Sequence, residues 1–122
     1  MQPHEHRAVA ARIERSIAKC DPGDHELLIE AAMLAGSHWL NARLHETGIR
    51  QDADDVMHTY LLTVNECRRL AVAEPDAIAA LTAIEDMRPG FVRGDQPGGA
   101  DAAQAALRLL GTIRERARRD LK

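Results

Sequence analysis

Aromatic residues and cysteine are scarce in this chain of 122 residues. Phenylalanine, tyrosine and tryptophan occur once each, and the two cysteines are Cys20 and Cys67. Two cysteines are too few for a disulfide framework. Strands favour aromatic and β-branched side chains, whereas the alanine and leucine that dominate the apolar 45% of this sequence favour helices. The composition therefore predicts an all-α protein.

Long apolar runs, an excess of basic charge and nucleotide-binding motifs are also missing. No stretch of 18 apolar residues is present to cross a membrane. The net charge of −3 and the pI near 6.0 give no overall positive field to attract nucleic acid or an anionic membrane. The N-terminal residues MQPHEHRAVAARIERS contain no apolar run of signal-peptide length. We therefore expect a cytoplasmic protein with no membrane contact and no bound cofactor.

Apolar residues recur at helical spacing in five segments that short polar breaks separate. A chain of this length fits a single domain, residues 1–122, with one long loop at 88–99. Short connections make successive helices antiparallel, so we expect an up-and-down antiparallel bundle of four to five helices. The predicted helices cover about 3–19, 25–46 and 53–73, then some 12 residues from Pro75, and lastly a segment from a cap at Asp101 to near Leu121.

The second and third predicted helices carry the strongest packing signals. The second is apolar on most sides, which predicts a central position and leaves a face that a second copy of the chain could cover. Three aspartates crowd the start of the third, where negative charge stabilises a helix. We expect this third helix to bury six of its residues, which are Met57, Tyr60, Leu61, Val64, Cys67 and Ala71.

Two histidines, His38 and His45, lie seven residues apart on the inward face of the second helix. Two helical turns separate them by about 10.5 Å along the axis, which is too far for joint binding of one ion. Metal-binding helices use spacings of three or four instead. The preferred interpretation is therefore that both histidines point inward and form hydrogen bonds with their neighbours, with no metal.

A polar cluster across the next turn is the alternative. An antiparallel hairpin centred near Arg50 sets residue 58 opposite about residue 43, so His58 approaches His45, with Asp55 one turn away. A cluster of His45, His58 and Asp55 suits a metal ion or acid–base chemistry. No fourth ligand follows from the pattern.

Arginines are concentrated near the C-terminal end of the last predicted helix, and they include Arg114, Arg116, Arg118 and Arg119. The helix dipole favours cations at that position, which accounts for much of the cluster. The functional interpretation is a nucleic-acid interface, although no aromatic side chain is interleaved with the arginines to stack on bases. In the 88–99 loop, Phe91 and Val92 are expected to pack on the bundle, or alternatively to contact a partner.

The segment AAMLAGSHWLNARLHETGI, followed by DDVMHTYLL, resembles the central hairpin of HEPN-type helical bundles. The shared features are small residues and histidine on the second helix, a turn that ends in glycine, and a histidine early in the third helix. This resemblance implies a four- or five-helix bundle that often dimerises, with relatives that partner a nucleotidyltransferase or act as ribonucleases. The ribonuclease motif R-x(4–6)-H is not met, because Arg50 and His58 have seven residues between them.

The sequence thus favours a non-catalytic HEPN-like module that works by binding a partner, most simply as a homodimer. Two alternatives stay open. One is a metal or acid–base enzyme that uses His45, His58 and Asp55. The other is a nucleic-acid-binding or ribonuclease-like protein.

Overall fold

A computed structural model describes residues 1–119, and within them the protein is all-helical with no strand, as predicted. The helices are α1 (Pro3–Ile17), α2 (His25–Glu46), α3 (Val64–Ala73), α4 (Pro75–Asp86) and α5 (Gly99–Arg118). A short 3-10 helix (Thr59–Leu61) and a π-helical turn (Arg88–Val92) lie in the connections. No helix in this part of the chain is both long and apolar enough to span a membrane.

Helix α2 is the centre of the bundle, as its apolar sequence predicts. Ile29, Leu40 and Leu44 are completely buried, and α1, α4 and α5 all pack against α2. The helix ends as predicted at Glu46, where Gly48 follows with a φ of 77°, a left-handed conformation that glycine adopts without strain. Each side chain of α2 that points into the bundle is therefore held by neighbours on several sides.

Helices α1 and α2 run antiparallel, as do α4 and α5, whereas α2 and α5 run parallel and in close contact. The ring of His25 lies against Gly99 near the start of both helices, and Arg43 Nη1 donates to the carbonyl of Arg119 at their ends, at 3.2 Å. Between these points Gly36 allows a close approach, since a Cβ there would lie 3.0 Å from Ile113 Cδ1.

The third helix starts eleven residues later than the predicted start at residue 53, at Val64. A capping box defines this start: Thr63 Oγ1 accepts from the backbone N–H of Glu66, and the Glu66 carboxylate accepts from that of Thr63. Residues 51–58 form no helix, because Asn41 of α2 holds the backbone of Val56 through side-chain hydrogen bonds.

The predicted burial of this segment is consequently wrong in large part. Met57, Tyr60, Leu61 and Val64 are between 64% and 68% exposed, and Cys67 is half-buried. In a helix these residues would have shared one face, but in the irregular segment before α3 they project from the bundle. We call these four exposed residues, which lie within positions 57–64, the exposed apolar patch.

The connection between α4 and α5 agrees with prediction in one respect and differs in another. Phe91 and Val92 are half-buried against the core, so they pin the loop to the bundle. Asp101 is not the helix cap: α5 begins at Gly99, with Gly98 at the cap position in a left-handed conformation (φ 95°). The predicted end near Leu121 lies outside the described residues.

Candidate metal centre

Three segments bring His6, His45 and Asp55 together. His6 lies near the start of α1, His45 in the last turn of α2, and Asp55 in the connection between α2 and α3. His6 Nε2 is 2.8 Å and His45 Nε2 is 2.7 Å from the same atom, Asp55 Oδ1. One potential ligand atom from each residue lies within 4.8 Å of the other two. Two imidazoles and a carboxylate therefore converge on one point.

Burial favours the neutral form of His6 and hydrogen bonding favours the ionised form of Asp55, which are the forms that bind a metal ion. The side chains of His6 and His45 are 2% and 0% exposed, and that of Asp55 is 30% exposed. Burial lowers the pKa of His6, which favours the neutral imidazole. Burial pushes the pKa of Asp55 upward, but hydrogen bonds from His45 and His6 outweigh it, so the pKa is lowered and the carboxylate is ionised at neutral pH.

The hydrogen bond that His45 makes through Nδ1 determines whether Nε2 carries a hydrogen or a lone pair. Nδ1 lies 3.1 Å from the backbone carbonyl of Arg50, which can only accept, so Nδ1 carries a hydrogen. A neutral His45 then presents a lone pair from Nε2 to the Asp55 carboxylate at 2.7 Å. Two electron-rich atoms this close must share an additional proton or, after moving slightly apart, bind a common metal ion.

Asn41 positions Asp55. Its Oδ1 accepts from the backbone N–H of Val56 at 2.7 Å, and its Nδ2 donates to the Val56 carbonyl at 2.8 Å. Val56 is 2% exposed and belongs to the hydrophobic core. Since Asp55 is the residue before Val56, these hydrogen bonds from α2 fix the position of the Asp55 carboxylate relative to the two histidines.

His38 joins the cluster through His6. Its Nδ1 lies 2.8 Å from His6 Nδ1, and the His6 ring stands between those of His38 and His45, with centroid distances of 5.1 and 5.3 Å. Burial lowers the pKa of His38, as it does that of His6. A third imidazole, from α1, thus connects the two histidines of α2.

His58 does not approach His45, so this part of the predicted cluster is wrong. His58 Nδ1 lies 3.1 Å from the buried carboxylate of Glu85 on α4, and its ring stacks on Tyr60. Glu85 also accepts from the backbone N–H and the hydroxyl of Thr59. The prediction assumed a regular helical hairpin after Arg50, and the irregular segment turns His58 towards α4 instead.

His6 is the member of the candidate site that the sequence-based prediction missed, although a signal for it was present. The same hairpin geometry, applied to α1 and α2, has its midpoint near residue 21 and sets residue 6 opposite about residue 36. That register places His6 beside His38. Considering pairs between the first two helices as well as the second and third would have found it.

A cavity of about 210 Å³ adjoins the cluster and is lined in part by His6, His38 and Asp55. Most of its remaining wall is apolar and comes from α2 and from residues 56 and 57. Leu34 and Met57 are 49% and 68% exposed, so they lie at its rim. The candidate metal centre therefore has an adjoining space in which a small molecule fits.

The C-terminal arginines take part in contacts within the protein. Arg114 pairs with Glu14, Arg116 Nε lies 2.6 Å from the buried Glu74 carboxylate, Arg118 stacks over Trp39 at 5.2 Å, and Arg119 lies 3.7 Å from Glu115. The first three of these contacts connect α5 to α1, to the junction of α3 and α4, and to α2. The cluster thus has a structural role that the sequence alone did not reveal.

Comparison of the chain with protein-family models, with curated proteins and with solved structures finds no match. The resemblance to HEPN-type bundles therefore stays a prediction, and the case for a function rests on the site itself.

Proposed function

We propose that this chain binds one divalent transition-metal ion through His6, His45 and Asp55, and that it works as a metal-dependent enzyme. The observation that carries this proposal is the convergence of two buried imidazole nitrogens on one carboxylate oxygen, at 2.8 and 2.7 Å. Structural zinc sites have four protein ligands, whereas catalytic sites have three and leave a position for water or substrate. Three protein ligands fit the catalytic type.

The surroundings of the ligands support a metal rather than a proton at this point. Metal-binding histidines typically donate their other ring N–H to a carbonyl, a carboxylate or another acceptor, which orients the ring. His45 does so through Nδ1 to the Arg50 carbonyl, and His6 has His38 Nδ1 at 2.8 Å. Two imidazoles and a carboxylate suit Zn²⁺ and Fe²⁺ best, and such an ion activates a bound water or polarises a carbonyl.

We expect the metal-free protein to bind one equivalent of Zn²⁺ and to become more stable. A ligand that binds the folded state alone, at 100 times its dissociation constant, stabilises it by about 2.7 kcal/mol. In a domain of this size that amount raises the melting temperature by roughly 10 °C. Isothermal titration calorimetry and a thermal melt with and without Zn²⁺ measure both quantities. Fe²⁺ under anaerobic conditions is the second ion to test, and binding of neither ion contradicts the proposal.

A homodimeric binding module is the second candidate, and the exposed apolar patch favours it. Met57, Tyr60, Leu61 and Val64 are four large apolar side chains that are exposed within eight residues of the chain. A patch of this kind is typical of a protein–protein interface, and self-association through one shared patch gives a twofold dimer. A nucleic-acid-binding role and a cytoplasmic location remain predictions from the sequence.

Sedimentation equilibrium at micromolar concentration tests the dimer. We expect about twice the chain mass of 13.4 kDa. Leu61→Glu should shift the protein to the monomer, because a carboxylate in an apolar interface loses its hydration. Leu27→Glu is the matched control, since Leu27 is 61% exposed and lies at the start of α2, outside the patch. A monomeric wild-type protein, or equal dimerisation of the two variants, excludes this interface.

A further inference from the structure

We infer that His58 is the general base of the proposed metal-dependent enzyme and that Glu85 positions it. The reaction that fits is hydrolysis of a small ester or amide, in which His58 takes a proton from the attacking water. This inference rests on the proposed metal site and adds its proton acceptor and its reaction class. It depends on the hydrogen bonds of Glu85, on the second ring nitrogen of His58, and on the cavity that His58 shares with Asp55.

Glu85 is a buried carboxylate that Thr59 holds in place. The side chain of Glu85 is 3% exposed. Its Oε1 accepts from the hydroxyl of Thr59 and, at 3.2 Å, from the backbone N–H of Thr59. The hydroxyl of Thr82 donates in turn to Thr59 Oγ1 at 3.2 Å. These donors orient the carboxylate so that its other oxygen, Oε2, meets the ring of His58.

The hydrogen between His58 and Glu85 lies on the histidine. His58 Nδ1 is 3.1 Å from Glu85 Oε2. A glutamate carboxyl is ordinarily more acidic than an imidazole, so the carboxylate accepts and Nδ1 donates. A neutral His58 then carries a lone pair on Nε2, and that nitrogen has no hydrogen-bond partner among residues 1–119. This is the tautomer that a general base requires.

His38 also lines the cavity and also has an unpartnered Nε2, but no carboxylate sets its tautomer. Its Nδ1 lies 2.8 Å from another imidazole nitrogen, His6 Nδ1, so either ring can carry the hydrogen between them. Ser37 and Asn41, two further polar side chains of the wall, are bonded to Val56. In the wall of this cavity, a carboxylate fixes the unpartnered nitrogen as an acceptor at His58 and not at His38.

The cavity joins His58 to the candidate metal centre. His58, Asp55 and His6 all line it. Its volume of about 210 Å³ is below the roughly 300–1,000 Å³ of pockets for drug-sized ligands, so a small molecule that fills it contacts Asp55 and His58 together. Met33 and Leu34 belong to the apolar part of the wall, which suits a hydrocarbon group on the substrate.

These parts meet the requirements of metal-assisted hydrolysis. A metal ion at the three ligands polarises the substrate carbonyl or the attacking water. As the water oxygen bonds to the carbonyl carbon, one proton of the water passes to His58 Nε2, and Glu85 stabilises the imidazolium that forms. The bond from that carbon to the leaving oxygen or nitrogen then breaks, and His58 returns the proton to the leaving group. His58 is therefore the catalytic residue, and Glu85 is a positioning residue.

Nitrogen NMR of the metal-free protein at alkaline pH tests the tautomer. We expect a hydrogen on His58 Nδ1 and none on Nε2. Glu85→Gln should reverse this, because the two donors of Thr59 retain the amide oxygen and leave the amide NH₂ facing His58 Nδ1. The hydrogen of His58 then moves to Nε2. A hydrogen on Nε2 in the wild type, or the same tautomer in both proteins, overturns the role of Glu85.

Hydrolysis of 4-nitrophenyl acetate by the zinc-loaded protein tests the base. We expect the wild type to release 4-nitrophenolate faster with zinc than without it. His58→Phe keeps a ring to stack on Tyr60 but has no nitrogen, and it should slow the reaction about a hundredfold, within the range that a general base contributes. Glu85→Gln, which keeps His58 but changes its tautomer, should slow it to a similar degree. Zinc stoichiometry should stay the same in both variants.

His25→Phe is the matched control for His58→Phe. The side chain of His25 is 29% exposed, against 24% for His58, and it also pairs with a carboxylate, that of Glu26 at 3.4 Å. His25 does not line the cavity. This variant should therefore hydrolyse the ester at the wild-type rate.

The outcomes separate this inference from the proposed function. If the wild-type protein binds no metal, the proposed function fails and the hydrolysis fails with it. If zinc binds at one equivalent but the ester is not hydrolysed, the metal site stands and the reaction class is overturned. If the ester is hydrolysed as fast by His58→Phe as by His25→Phe, the metal site again stands and His58 is not the base.

Discussion

Replacing His45 with leucine should abolish metal binding and leave the fold intact. The side chain of His45 is completely buried and supplies one of three ligand atoms, so the remaining two cannot hold the ion at comparable affinity. Loss of an outer-shell partner typically costs roughly 10–100-fold in metal affinity, and loss of a ligand should cost more. Calorimetry should show no saturable Zn²⁺ binding by His45→Leu at micromolar protein, and the rise in melting temperature caused by the metal should disappear.

The N-terminal helix provides a matched pair of variants for the same experiment. His6→Leu should lose metal binding as His45→Leu does, because His6 Nε2 faces the same carboxylate oxygen. His4→Leu makes the same substitution two residues earlier on α1 at an exposed position, and should bind zinc as the wild type does. Unchanged zinc affinity in His45→Leu, or an equal loss in His4→Leu, means that the ion binds elsewhere.

The helices were the predictable part of this structure. The bounds of α2 and the length of α4 agree with the sequence-based prediction, because helical periodicity, Gly48 and Pro75 are local signals. The central position of α2 also followed from its composition, since a helix with apolar residues on most sides must be covered on most sides.

The segment from residue 51 to residue 63 was not predictable in the same way. A contact between Asn41 and Val56, fifteen residues apart, holds it in an irregular conformation, and periodicity contains no information about such a contact. A local signal for the start of α3 did exist in Thr63 and Glu66, which form the capping box. Because the prediction began this helix too early, it placed His58 in the cluster. For the same reason it predicted burial for residues that are exposed in the structure.

Glu74 is a buried carboxylate that two arginines from different helices contact. It lies at the junction of α3 and α4 and is 2% exposed. Arg116 of α5 contacts it with Nε at 2.6 Å and Nη2 at 3.2 Å, and Arg43 of α2 contacts it with Nε at 3.3 Å. One carboxylate therefore connects the α3–α4 junction to the two helices that form the centre of the bundle.

Glu74→Gln should destabilise the protein strongly. The amide has nearly the same shape but no charge, so the buried guanidinium of Arg43, whose side chain is 9% exposed, loses its counter-charge. Breaking a buried ion pair by removing one partner typically costs about 3–5 kcal/mol. For a domain of this size we expect the melting temperature to fall by roughly 12–20 °C, as measured by circular dichroism during heating or by chemical denaturation.

Glu115→Gln is the matched control, because it makes the same substitution on α5 at a side chain that is 74% exposed and 3.7 Å from Arg119. Exposed pairs of this kind contribute little, so its melting temperature should be close to that of the wild type. A double variant, Glu74→Leu with Arg43→Met, separates the two causes of instability. Replacing a buried ion pair with apolar residues of similar size is often neutral, so the double variant should be more stable than Glu74→Gln. If Glu74→Gln and Glu115→Gln melt together, the carboxylate does not hold the bundle through its charge, and the packing of α2 against α5 around Gly36 must hold that end of the protein instead.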